Sequence, residues 1–186
     1  MPIWAWIVIA VVVIVVIAAI AWAVAQRRRR QGLQDQFGPE YERTLNERSS
    51  RREAESDLED RRRRREALDI RPLSPAARSR YTDEWRAVQA RFVDDPDVAV
   101  REAHSLVLRV MQDRGYPMDD FDQRAADISV DHPDVVQEYR SAHEISTLAE
   151  RGQAGTEDLR RATVHYRSLF EQLLGDDEGA ESRAAP

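Results

Sequence analysis

The sequence predicts an all-α chain: an N-terminal transmembrane helix, a long polar stalk helix and a C-terminal helical bundle of four to five helices. Three observations carry this. Ile3 to Ala25 holds no charged side chain and no polar one except Trp indoles. Residues 40–69 are dense in charges at helical spacing. Beyond residue 72, apolar stripes of helical period lie between proline and glycine punctuation, and no period-two run with Gly-rich turns interrupts them. The implied organisation is 1–26 transmembrane helix, 27–71 Arg/Glu-rich juxtamembrane stalk, 72–175 helical bundle domain, and 176–186 disordered acidic tail.

At about 1.5 Å per residue the first segment makes a helix of roughly 34 Å, matching a hydrocarbon core of roughly 30 Å. Trp4, Trp6 and Trp22 sit at its two ends, where indoles favour the headgroup level. A cleaved signal peptide is the rival, because Ala23-Val24-Ala25 resembles a cleavage site. Against cleavage, the amino end has no basic region and the apolar stretch exceeds the usual signal length. Arg27, Arg28, Arg29 and Arg30 follow at once. By the positive-inside rule they place the amino end outside and the rest of the chain in the cytoplasm, as a single-pass protein of the inner membrane. They are also the expected contacts to anionic lipid headgroups, at roughly 1 kcal/mol each.

Of the 186 residues, 42% are apolar and 33% charged, which excludes a wholly disordered chain. There is no cysteine, hence no disulfide framework, thiolate metal site or cysteine nucleophile. All 28 basic residues are arginine, so no lysine serves as base or Schiff-base former. The net charge of −6 is unevenly spread: residues 1–71 carry about +3 and the remainder about −9.

After a break at Phe37-Gly38-Pro39, residues 40–69 read as one long helix with few apolar positions, Tyr41, Leu45, Ala54 and Leu58 among them. Acid-before-arginine pairs four apart (Glu47–Arg51, Asp57–Arg61, Glu59–Arg63, Asp60–Arg64) would support it. So polar a helix is expected to stand solvated or as a weak coiled coil. The run Arg61 to Arg65 rings a helix rather than striping it, since successive residues step by about 100°. With 10 acids against 9 arginines in the segment, nucleic-acid binding is not expected.

Ile70 to Pro75 is a linker. Ser74-Pro75 and Asp95-Pro96 place N-caps before first-turn prolines, Asp131 stands similarly before Pro133, and Thr156 opens the last helix. Gly115, Gly152 and Gly175 fall where helices end. Helices are predicted at about 75–93, 97–114, 133–151 and 157–174, with a shorter one near 119–128. Their stripes are Tyr81, Trp85, Val88, Phe92; Ala99, Ala103, Leu106, Val107, Val110, Met111; Val135, Tyr139, Ala142, Leu148; and Leu159, Ala162, Tyr166, Leu169, Phe170, Leu173.

No catalytic constellation is present. Phosphate loops, nucleophile elbows and paired metal-ligand spacings are absent, and no cofactor is implied. A bundle could bring His104, His143 and His165 together, which gives a metal-binding or enzymatic bundle as an alternative. Tyr139, Arg140 and His143 on one helix, with Arg161, His165 and Arg167 on another, form mixed polar and aromatic clusters of the kind that recognise a partner protein.

The strings FGPEY, DIRPL, WRAVQARFVDDP, RGYP, SVDHP and TEDLRRATVHYRSLF are together specific. On them the chain resembles a family of uncharacterised bacterial single-pass membrane proteins, with an N-terminal span, an Arg/Glu-rich stretch and a small helical domain. The resemblance implies membrane anchorage but no site residues, and some members are treated as secreted because the span mimics a signal peptide. The function expected is therefore non-catalytic: a membrane-anchored protein whose cytoplasmic helical domain binds a partner protein, identity open. A periplasmic or secreted domain released by cleavage is the remaining alternative.

Overall fold

The computed structural model describes residues 3–184, and the side chains of residues 12–175. Among the described residues there are eight helices and no strand: α1 (Ile3–Phe37), α2 (Pro39–Glu47), α3 (Arg51–Glu66), α4 (Pro75–Asp94), α5 (Pro96–Arg114), α6 (Phe121–Asp131), α7 (Val136–Glu150) and α8 (Thr156–Ala184). The all-α expectation holds.

Local chemistry explains most boundaries. Ser74, Asp95 and Asp120 each accept a hydrogen bond from the backbone N–H three residues on, satisfying an otherwise orphaned donor. Pro75 and Pro96 follow the first two caps, with φ already helical. Gly115 closes α5 in the left-handed region at φ 96°, and a Cβ there would stand 2.4 Å from the carbonyl oxygen of Asp69. Only glycine lets the linker pass this close, and the Arg71 N–H donates to the Arg114 carbonyl beside it.

Two expectations about boundaries fail. Asp131 does not cap α7: it ends α6 and accepts instead from the Tyr116 hydroxyl at 2.7 Å and from Arg65. Gly175 does not end α8, which runs on to Ala184. The acidic tail read at 176–186 thus begins inside the last turns of α8, on residues whose side chains lie outside those described.

Two apolar clusters hold the chain. The larger joins α4, α5, α7 and α8, with Ala125 and Ile128 from α6; Trp85 stacks on Phe170 at 4.8 Å between ring centres. Every predicted stripe contributes to it, but Leu148 is exposed and Phe92 only partly covered. The smaller cluster is Leu33, Phe37, Tyr41, Leu58 and Val130, from α1, α2, α3 and α6.

This second cluster corrects the expected long polar stalk helix. Arg48 is extended and Ser49 and Ser50 form a bend, so the segment breaks into two helices that fold back on one another. Ser50 caps α3 through the Glu53 N–H, while Ser49 donates to the Glu53 carboxylate at 2.6 Å. α1 then continues without a break from its apolar part through Arg27–Arg30 to Phe37, and Leu33 and Phe37 in its last turns are buried. Among the described residues no helix is long and apolar enough to cross a membrane. The first third of the expected span, including Trp4 and Trp6, has side chains outside those described. The described part, Val12 to Ala25, is uncovered on every side, with Ile14 65% and Ile17 60% exposed.

Candidate functional site

The most polar buried region lies where α2, α3, α6 and α7 meet, and Glu40 is its centre. In the first turn of α2 this carboxylate is 2% exposed. Arg140 of α7 grips it with two donors, at 2.8 Å to Oε2 and 2.7 Å to Oε1. Arg61 of α3 donates to Oε1 at 2.9 Å, and Arg43 lies 3.4 Å away. Burial pushes the Glu40 carboxyl up, but the hydrogen bond and charge of Arg140, with the charges of Arg61 and Arg43, more than offset it and hold the group below its ordinary value. The geometry is the bidentate one that arginine, not lysine, provides.

Around this centre each arginine of the run Arg61–Arg65 has its own acceptor. Arg61 also donates to Asp57 at 2.7 Å, Arg62 faces Glu66 at 3.8 Å, and Arg63 pairs with Asp60. Arg64 donates to Gln123 at 2.6 Å and stands 3.6 Å from Asp127, while Arg65 pairs with Asp131. The run is self-compensated, as expected, yet Arg61 is buried and Arg64 and Arg65 tie α3 to α6. Of the four predicted pairs only Asp57–Arg61 forms. Glu47 turns back to Arg43 of its own helix at 2.6 Å, whereas Glu59 faces Arg29 of α1 at 3.8 Å. Asp127, 1% exposed, accepts from Gln123 at 2.8 Å, and burial raises its pKa.

A cleft of about 630 Å³ opens over this centre, lined by Arg43, Arg48, Arg61, Arg64 and Arg140 and by Glu47, Asp57, Asp120 and Asp122, with the Glu40 carboxylate as the fifth acid against the five arginines. With its charges matched it exerts little net pull on an anion. Its ion pairs brace α2, α3, α6 and α7 against one another.

A second cleft, also about 630 Å³, lies between α1 and α3 and includes Trp22, Gln26, Arg29, Arg30, Arg51 and Arg52. Trp22 is 70% exposed at its edge. Arg30 reaches Glu55 at 3.1 Å, and the same carboxylate oxygen accepts from the Tyr41 hydroxyl at 3.0 Å. Arg27 and Arg28 are exposed on the same stretch of α1.

The six residues read as a partner surface are dispersed. Tyr139 is fully buried in the large core, and Arg140 is committed to Glu40. His143 stacks on Phe121 at 3.7 Å between ring centres. On α8, Arg161 pairs with Asp158, Arg167 with Glu171 at 2.6 Å, and His165 Nδ1 stands 3.9 Å from Glu138. Arg161 and Arg167 are exposed on α8 with Val164, which is 49% exposed, whereas His165 is half-buried against α7.

The histidines are brought together only in part. His104 lies edge-on to His143 at 5.8 Å and stacks on Tyr166 at 5.5 Å. Burial lowers both pKa values, His143 and Arg124 adding to the effect at His104 and Arg124 to that at His143. His165 stays with Glu138. Among the described residues no three His, Cys, Asp or Glu side chains gather where they could hold a metal.

From the sequence, Arg51 and Arg61 are expected only as helical partners of Glu47 and Asp57, Arg61 also within the arginine run, and Glu40 and Arg52 are given no role. Two signals pointed to them: Leu33, Phe37 and Tyr41 recur at intervals of four, and Ser50-Arg-Arg-Glu53 is a capping pattern inside the supposed continuous helix. No family model, curated protein or solved structure matches this chain.

Proposed function

We propose that this is a membrane-anchored, non-catalytic protein. α1 is held in the inner membrane with its amino end outside, and the cytoplasmic helical domain docks a partner protein. In this reading the chain is one of the single-pass proteins it resembles. The observation that carries the proposal is the contrast along α1. From Val12 to Ala25 it has no protein cover on any side, Val12 to Ile17 and Ile20 all being about half exposed or more, whereas Leu33 and Phe37 on the same unbroken helix are buried. An uncovered apolar rod of this kind is stable in hydrocarbon and costly in water, since each fully exposed aliphatic side chain forgoes roughly 1.5–3 kcal/mol.

Because α1 enters the fold without a loop, the domain sits at a set height. About eleven residues separate Gln26 from Phe37, roughly 17 Å of helix. The partner-docking part is supported by the outer side of α8, where Val164 is exposed together with Arg161 and Arg167.

Reporter fusions at the carboxy terminus test the placement. A reporter active only in the cytoplasm should be active, one active only outside should be silent, and the chain should stay with membranes through alkaline extraction. The reverse pair of activities, or release into the supernatant, would contradict it.

A further inference from the structure

We propose that the cleft between α1 and α3 is a binding site for the phosphate of an anionic phospholipid headgroup, in the leaflet from which α1 emerges. The inference rests on the membrane-anchored reading above and deepens it: lipid recognition is assigned to a built cleft with donors from two helices, not to the four arginines after the apolar segment alone.

Fold-back geometry makes the cleft. Arg30 pairs with Glu55, Leu33 and Phe37 share a cluster with Leu58, and Glu40 meets Arg61. Trp22 and Gln26 share one cleft with Arg51 and Arg52 at the start of α3, and further along α1 Arg29 and Arg30 meet Glu59 and Glu55, so α3 runs alongside α1 in the same direction. Its first turn is therefore carried back towards the apolar part, and Arg51 and Arg52 come to line one cleft with Gln26 and Trp22. In sequence, Arg51 and Arg52 stand more than twenty residues from the apolar segment. In space they stand at its edge.

Charge distinguishes this cleft from the one over Glu40. Arg29 and Arg30 are held by Glu59 and Glu55, which orients them. Arg51 and Arg52 are exposed and make no ion pair among the described residues. Four guanidinium groups against two carboxylates leave a surplus of positive charge, with Ser56 adding a hydroxyl. Planar forks with unpaired donors suit phosphate oxygens. An exposed indole at the same mouth suits the boundary between headgroup and acyl chain, and points to a phosphate that is part of a lipid.

The test uses the full chain in neutral detergent, with native mass spectrometry to count bound lipid. Wild-type protein should retain phosphatidylglycerol in clear preference to phosphatidylcholine. The Arg51→Gln/Arg52→Gln variant should lose about tenfold or more of that preference. An Arg63→Gln/Arg86→Gln variant, with the same change in net charge at exposed arginines paired elsewhere, should retain it. Equal retention of the two lipids, no effect of R51Q/R52Q, or an equal loss in R63Q/R86Q would overturn the proposal. Glycerol 3-phosphate separates a lipid from a free phosphate: displacement of phosphatidylglycerol by an equimolar amount would overturn the lipid assignment. Vesicles of phosphatidylcholine alone keep the two claims apart. Insertion there without anionic preference in detergent leaves the anchor standing and removes the site, whereas failure to insert at all removes both.

Discussion

The two halves of this molecule are held together by different forces. In α4, α5, α7 and α8 the centre is apolar: Leu106, Met111, Tyr166, Leu169 and Leu173 are almost wholly buried and pack on Trp85 and Phe170. In the layer of α1, α2, α3 and α6 the apolar cluster is small, and its neighbour is a carboxylate gripped by three arginines. Burial of hydrocarbon is non-directional and tolerates adjustment. A buried ion pair is directional, and removing one partner strands the other in a poor dielectric. The comparison teaches that a layer too polar to form a core can still adopt one fixed arrangement, through matched charges whose partners lie far apart in sequence.

The largest expected effect comes from breaking the charge centre. Glu40→Ala strips the half-buried Arg140 of its carboxylate, leaves buried Arg61 with Asp57 alone as its ion partner, and should cost about 3–5 kcal/mol. Hydrogen exchange should show α1–α3 losing protection before α4, α5 and α8. Replacing Glu40, Arg61 and Arg140 together by apolar residues of similar size should recover most of that loss, because no charge is then stranded. A triple variant as unstable as E40A would show that the layer depends on something else. In the other half, Leu169→Ala should cost about 2–5 kcal/mol by opening a cavity, read as a lower denaturant midpoint.

Gly115→Ala comes next. It combines an unfavourable φ with a backbone contact that cannot yield, and should cost more than about 1 kcal/mol. Gly152→Ala, also at positive φ but with open space around its Cβ, should cost less.

Acid should reach the two halves in the opposite order to intuition. His104 and His143 are neutral in the fold, with pKa values below the ordinary 6.5, so the unfolded chain takes up protons first. The stability they contribute is present above about pH 6.5 and is lost as pH falls towards their folded values. Glu40 is depressed below 4.5, and its contribution is lost only as pH falls below that. The raised pKa of Asp127 works the other way and gains stability in acid, partly offsetting Glu40. Melting of the bundle should therefore soften as pH falls below about 6.5, and His104→Phe should flatten that slope. A bundle indifferent to pH over this range would contradict the assignment. The smallest effect is that of Arg63→Ala, within about 0.5 kcal/mol, although the neighbouring Arg61→Ala should cost several times more.

That last pair shows how far the sequence was legible. The helices of the bundle were readable because caps, prolines and apolar stripes agree, and each stripe buries much as its period requires. The charged segment was not. Arg61 and Arg63 are indistinguishable as letters, and only the packing of α3 on α2, α6 and α7 makes one a buried brace and the other a solvated side chain. Helical pair rules placed Glu59 with Arg63 and Asp60 with Arg64, since they know only near neighbours, whereas Arg29 and Asp127 are competitors from distant helices. Pro133 made Asp131 look like a cap, but Tyr116 and Arg65 claimed its carboxylate. The break between α2 and α3 was available in Ser50 and Glu53 and was masked by the density of helix-forming charges on either side.

α1 joins its apolar part to the folded layer as one unbroken helix. Hydrogen exchange of residues 26–37, measured on the full chain in phospholipid vesicles, tests it most directly. Amides from Gln26 to Phe37 should be protected as strongly as those of α3 around Leu58. Exchange at free-chain rates between Arg27 and Gln36, while α3 stays protected, would mean a loose tether and would contradict the account.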